Sequence, residues 1–159
     1  MRLLAVFAAL LYAMPAHAEI RVQLPTPGER HAADIASWGT VLADIALDVK
    51  ASWNCERRAR CFELQGVRLG VTYGVDYLVK TAVHRMRPCA PNDCGIDKPN
   101  ASFYSAHTAA AFQTLGGPRL AFALPFAIAT GGLRVAAGKH WITDVLAGAG
   151  AGYLASKIR

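Results

Sequence analysis

The chain has 159 residues and a formal net charge of +6, with 53% hydrophobic residues and four cysteines. That length suggests one domain, and the basic balance favours anionic partners. The sequence shows no nucleic-acid-binding motif or aromatic-plus-Arg repeat, so nucleic acid is not an expected partner.

Residues 1–18 read as a cleaved signal peptide. Arg2 supplies a positive start, "LLAVFAALLYA" an apolar core too short for a good membrane span, and "AHA" the cleavage site after Ala18. Cleavage removes Arg2 and lowers the net charge by one, and it implies a periplasmic or secreted protein. In that oxidising setting, cysteines 55, 61, 89 and 94 read as two disulfides. No C-x-x-C spacing suggests zinc, and neither a metal nor a cofactor is expected.

Residues 19–31, with Pro25, Pro27 and Gly28, are expected to form an extended arm. Helix one follows over 32–50. Ile35, Trp38, Leu42, Ile45 and Val49 recur at spacings of three and four, which predicts a buried apolar stripe. Asp34, Asp44 and Asp48 then fall on a wet face, which argues for a soluble body. "SWNCERRARC" is a charged loop, and helix two runs from about Phe62 to His84. Arg68, Thr72, Asp76 and Lys80 form a polar stripe on it, and Gly66, Gly70 and Gly74 a small-residue stripe that permits close helix approach. "RPCAPNDCGIDKPN" is a loop. Helix three starts between Ser102 and Ser105 and ends at Gly116 and Gly117. Pro118 opens helix four, bent at Pro125, and helix five runs from about His140 to the C-terminus, with "AGAGAG" allowing tight packing. No β-alternation of useful length occurs. The fold class is therefore all-α: a single antiparallel bundle of about five helices over residues 32–159.

Short connections make neighbouring helices antiparallel. One end of the bundle then receives Lys80 and Arg87 from helix two, Ser105 and His107 from helix three, Arg134 from helix four, and His140 and Asp144 from helix five. Three cations and a helix N-terminus at one place describe an oxyanion site, most naturally for phosphate.

The same residues carry a resemblance. "KTAVHRMRP" has the pattern K-x6-R-P, "YSAH" resembles P-S-G-H, and "LRVAAGKHWITD" resembles S-R-x5-H-x3-D. Together they resemble the signature of the type 2 phosphatidic acid phosphatase (PAP2) and vanadium haloperoxidase superfamily, in a small secreted bacterial form. Tyr104, Ala106 and Leu133 replace the usual Pro, Gly and Ser, while every ionisable group is present.

The resemblance implies a metal-independent phosphatase acting on phosphate monoesters or lipid (pyro)phosphates, with contact at a membrane surface left open. His140 would be the nucleophile, Asp144 its partner, and His107 the leaving-group acid. Lys80, Arg87, Ser105, Ala106 and Arg134 would bind phosphate. A vanadium haloperoxidase and a non-catalytic phosphate-binding module are the alternatives. For the cysteines, helix two separates the flanking loops by some 30 Å at roughly 1.5 Å per residue, so Cys55–Cys61 and Cys89–Cys94 are the expected pairs.

Overall fold

Helix starts and ends follow local rules in the computed structural model, which describes residues 25–89, 98–115 and 120–159. Among these residues there are five helices and no strand. They are α1 (Pro27–Trp53), α2 (Arg58–Val83), α3 (Ala106–Gln113), α4 (Leu120–Ala136) and α5 (Ile142–Ala155). The signal-peptide reading, most of the arm, Cys94 and the turn at 116–119 lie outside the described residues.

α1 begins five residues before its expected start. Thr26 caps it: the Thr26 hydroxyl accepts from the Glu29 amide, and the Glu29 carboxylate accepts from the Thr26 amide at 2.9 Å. Pro27 sits in the first turn, where its missing N–H costs nothing. Residues 27–31 are therefore helix, not extended arm.

The facing of α1 is the reverse of the sequence expectation. Ile35, Trp38, Leu42 and Val49 are exposed, while Ser37, Val41, Asp44, Asp48 and Ser52 are buried. The polar stripe faces α4: Asp34 bonds Arg134, and the Thr130 hydroxyl donates to Thr40 at 2.8 Å. These pairs run in opposite chain directions, so α1 and α4 are antiparallel. Burial of Asp44 and Asp48 overturns the reading of a wet face: Asp34 finds its partner on α4, while both Asp44 carboxylate oxygens are enclosed with no hydrogen-bond partner.

The same inversion runs along α2. Val67, Val71, Tyr77 and Leu78 are exposed, whereas Gln65, Thr72 and Asp76 are buried. Thr72 donates to the Gln113 side chain at 2.9 Å, and Arg68 reaches the Ile158 carbonyl at 2.8 Å. Gly66, Gly70 and Gly74 do not serve close helix approach: a methyl group on any of them would meet nothing within 4 Å. They lie on the open side of α2, because the polar side is the one that packs.

Close approach occurs instead between α3 and α5. A methyl group on Gly148 would lie 2.5 Å from the Ser105 carbonyl oxygen, and one on Gly152 2.1 Å from that of Ala109. These contacts run in the same chain direction, so both helices start at the same end. The core beside them consists of Phe103, Tyr104 and Ala109, with Val75, Val79, Ala147 and Ala151 packed against it. Cys55 and Cys61 form a disulfide with Cα atoms 6.6 Å apart. Cys89 is also disulfide-bonded.

Candidate active site

One end of the bundle gathers the start of α1, the end of α2, the starts of α3 and α5 and the end of α4. Gly138, at a φ of 67°, turns the chain sharply between Arg134 and His140. Its carbonyl accepts from the Cys89 amide at 3.0 Å, which ties this turn to the loop after α2. The Trp141 indole donates to the Met86 carbonyl at 2.8 Å and reinforces that tie.

His140 is 2% exposed. Its Nδ1 lies 2.6 Å from the Ser102 carbonyl oxygen. A carbonyl can only accept, so Nδ1 carries the proton and Nε2 keeps its lone pair. Burial pushes the His140 pKa well below the ordinary imidazole range, and the nearby charges of Arg134, Arg87 and Lys80 push it further. The imidazole is thus neutral, and those three cations are its electrostatic neighbours.

Asp144 was expected to accept the His140 proton directly, but its Oδ2 is 3.9 Å from Nδ1. It works one step back. Oδ2 accepts from the Ser102 hydroxyl at 2.5 Å and from the Trp141 amide at 3.0 Å, while Oδ1 accepts from Arg85 at 2.6 Å. Asp144 therefore fixes Ser102, whose carbonyl fixes His140. Burial raises the Asp144 pKa, opposed by these hydrogen bonds and by the Arg85 charge. Neither Ser102 nor Arg85 carried a site assignment from sequence. Arg85 holds Asp144 through its side chain, and Ser102 holds Asp144 through its hydroxyl and His140 through its carbonyl, contacts that motif spacing does not encode.

Lys80 pairs with Asp76 at 2.8 Å, the i, i+4 partner on α2. Arg87 is buried; its Nε donates to the Lys98 carbonyl at 3.0 Å, and its amide donates to the Pro99 carbonyl at 2.7 Å. Arg134 is buried and bonds both Asp34 and Ser37 of α1. Ser105 caps α3, its hydroxyl accepting from the Thr108 amide at 3.4 Å and the Thr108 hydroxyl at 2.9 Å. Both contacts use the oxygen, so the Ser105 proton is left to donate. The Ser105 amide reaches the Asp144 carbonyl at 3.1 Å and seats α3 against α5.

Ala106 is the first residue of α3, and His84 is the one non-glycine residue with positive φ among those described. Alanine in place of glycine therefore costs no backbone strain here. Tyr104 is buried and its hydroxyl donates to the Thr72 carbonyl at 2.9 Å, so it pins the segment before α3 to α2. His107, in the first turn of α3, is half-buried and meets Trp38 edge-on with ring centroids 4.2 Å apart.

Residues 65–158, more than half of the chain, match the family model of the PAP2 superfamily. The chain belongs to that superfamily. No curated protein and no solved structure matches it. PAP2 proteins are generally phosphatases, which supports phosphatase-type activity on phosphorylated substrates at that coarse level. The matched stretch holds the motif residues Lys80, Arg87, Ser105, His107, Arg134, His140 and Asp144. α1, with Asp34, Ser37 and Trp38, precedes it.

Proposed function

We propose that this PAP2 chain is a metal-independent phosphatase that works through a phosphohistidine at His140. The observation that carries the reading is a buried His140 whose Nδ1 is held by the Ser102 carbonyl, with burial and the charges of Arg134, Arg87 and Lys80 favouring its neutral form. A neutral imidazole with a fixed tautomer is a nucleophile, and the same cations favour a phosphate dianion.

In the first step His140 Nε2 attacks phosphorus. The bond from phosphorus to the leaving oxygen breaks, and His107 gives its proton to that oxygen. In the second step His107 takes a proton from water as the water oxygen attacks phosphorus. The phosphorus–nitrogen bond breaks, and inorganic phosphate leaves with His140 neutral again. Lys80, Arg87 and Arg134 hold the phosphate oxygens as charge builds on them, with the Ser105 hydroxyl as a further donor. Ser102 and Asp144 steady the imidazolium formed on phosphorylation.

Phosphate monoesters and lipid (pyro)phosphates both suit this chemistry. The exposed Ile35, Trp38 and Leu42 on the part of α1 nearest the site favour lipid phosphates met at a membrane surface. Among the described residues no helix is long and apolar enough to cross a membrane, so this contact is with the surface. The cysteine pairing and the leader-like start favour a periplasmic or secreted location.

The test is hydrolysis, in chelator, of a soluble aryl phosphate and of a lipid phosphate in vesicles, with and without vanadate. The proposal expects turnover that vanadate blocks, faster on vesicles. Halide oxidation with vanadate would point to a haloperoxidase, and phosphate binding without turnover to a binding module.

A further inference from the structure

The family match begins at residue 65, yet the start of α1 reaches the phosphate-site motif. Arg134 Nη1 donates to Asp34 Oδ1 and, at 3.3 Å, to the Ser37 hydroxyl. Asp34 Oδ2 lies 3.7 Å from the Lys139 ammonium. The Arg134 side chain is 5% exposed and that of Asp34 25%. One turn of α1 thus presents two acceptors to one guanidinium nitrogen.

We infer that Asp34 is a positioning residue for phosphate binding, holding the Arg134 guanidinium in place for the anion from a helix outside the matched segment. The inference rests on the reading of Arg134 as a phosphate ligand. A guanidinium is a rigid planar fork, so fixing Nη1 against two acceptors fixes the plane of its remaining donors. A buried cation without a carboxylate partner would be costly and would seek water or another acceptor. Asp34 removes that tendency while the site is empty. It also offsets part of the positive charge of Arg134 and Lys139, which lie in the same turn region. A surface ion pair at this spot would contribute little, but this pair is buried on the arginine side. An alternative role for the same contact is competition, with Asp34 occupying the arginine that phosphate needs. The two roles predict opposite signs.

The experiment is calorimetric titration of the full chain with inorganic phosphate, which needs no turnover. Wild type is compared with Asp34→Asn, Asp34→Glu, Ser37→Ala and Arg134→Gln, and thermal unfolding confirms that each is folded. Asp34→Asn should weaken phosphate binding about tenfold, the scale of one charge-assisted contact, and Asp34→Glu should restore part of it. Ser37→Ala keeps the charge and removes one acceptor, so it should weaken binding about two- to threefold, and it carries the test if Asp34→Asn does not fold. If Arg134→Gln weakens binding while Asp34→Asn binds as tightly as wild type or tighter, Asp34 does not position the arginine and the inference falls alone. If Arg134→Gln leaves phosphate binding unchanged, the reading of Arg134 falls and this inference with it.

Discussion

Asp44→Asn gives a quantitative test of the inverted packing of α1. Asp44 is fully buried and neither carboxylate oxygen has a hydrogen-bond partner. Burial, with the nearby Asp48 charge, raises its pKa from 3.8 to about 7. The sign follows from linkage: the folded protein holds this proton more tightly than the unfolded chain. Stability is therefore greatest below pH 4 and falls as pH rises to about 7. At roughly 1.4 kcal/mol per unit, the full cost well above pH 7 is about 4 kcal/mol, of which about 3 kcal/mol accrues between pH 5 and pH 8. Asparagine keeps the shape and abolishes the titration. Urea unfolding of wild type and Asp44→Asn at pH 5 and pH 8 should show wild type losing about 3 kcal/mol relative to the variant over that interval. Asp76 and Asp144, whose pKa values burial also raises, are present in both proteins and cancel in the difference. Parallel pH dependence in the two proteins would refute the burial of Asp44 without a partner, and with it the facing of α1.

His140→Ala should abolish turnover in a folded protein, because no other group supplies the nucleophile; more than a few per cent of wild-type activity would remove His140 from that role. His107→Ala should impair alkyl phosphates far more than activated aryl phosphates, since the latter leave without a proton. Equal losses on both substrates would sink the acid assignment. Gly152→Ala should destabilise by about 1–3 kcal/mol or more, because the added methyl meets the Ala109 carbonyl. Gly150→Ala, with open space around it, should instead be neutral or stabilise by up to about 1 kcal/mol in the same melts.

The number and order of the helices were legible because apolar runs, prolines and glycine pairs mark them. Motif spacing predicts that Lys80, Arg87, His107, Arg134 and His140 share one end of a bundle, and in the structure the charges of Arg134, Arg87 and Lys80 act on His140. The start of α1 is also written in the sequence: "TPGE" is a capping box with proline in its first turn, although Pro25, Pro27 and Gly28 together suggest an extended arm. What periodicity could not give was the sign of a face. Ile35, Trp38, Leu42 and Val49 and the polar residues Asp34, Ser37, Asp44 and Asp48 are two stripes of one helix, and spacing alone does not say which faces in. The ordinary preference for buried apolar residues chose wrongly, because the neighbours of α1 carry Arg134, Lys139 and Thr130. The second layer around His140 was also hidden, since the Ser102 contact uses a carbonyl that every residue has.

The inverted packing and the proposed chemistry have a common cause. A site that holds a phosphate dianion in a dry place needs buried cations, and each buried cation needs a carboxylate or carbonyl while the site is empty. Asp34 serves Arg134 and Lys139, Asp76 serves Lys80, Asp144 serves Arg85, and the Lys98 carbonyl serves Arg87. These partners come from α1, α2, α5 and the loop before α3, so their polar faces must turn inward. With polar groups lining the inside, the larger apolar side chains of α1 and α2 have only the outer face left to occupy. The exposed Ile35, Trp38, Leu42, Tyr77 and Leu78 are therefore the structural counterpart of the charged end, and a lipid surface is the surrounding that would make both arrangements favourable at once.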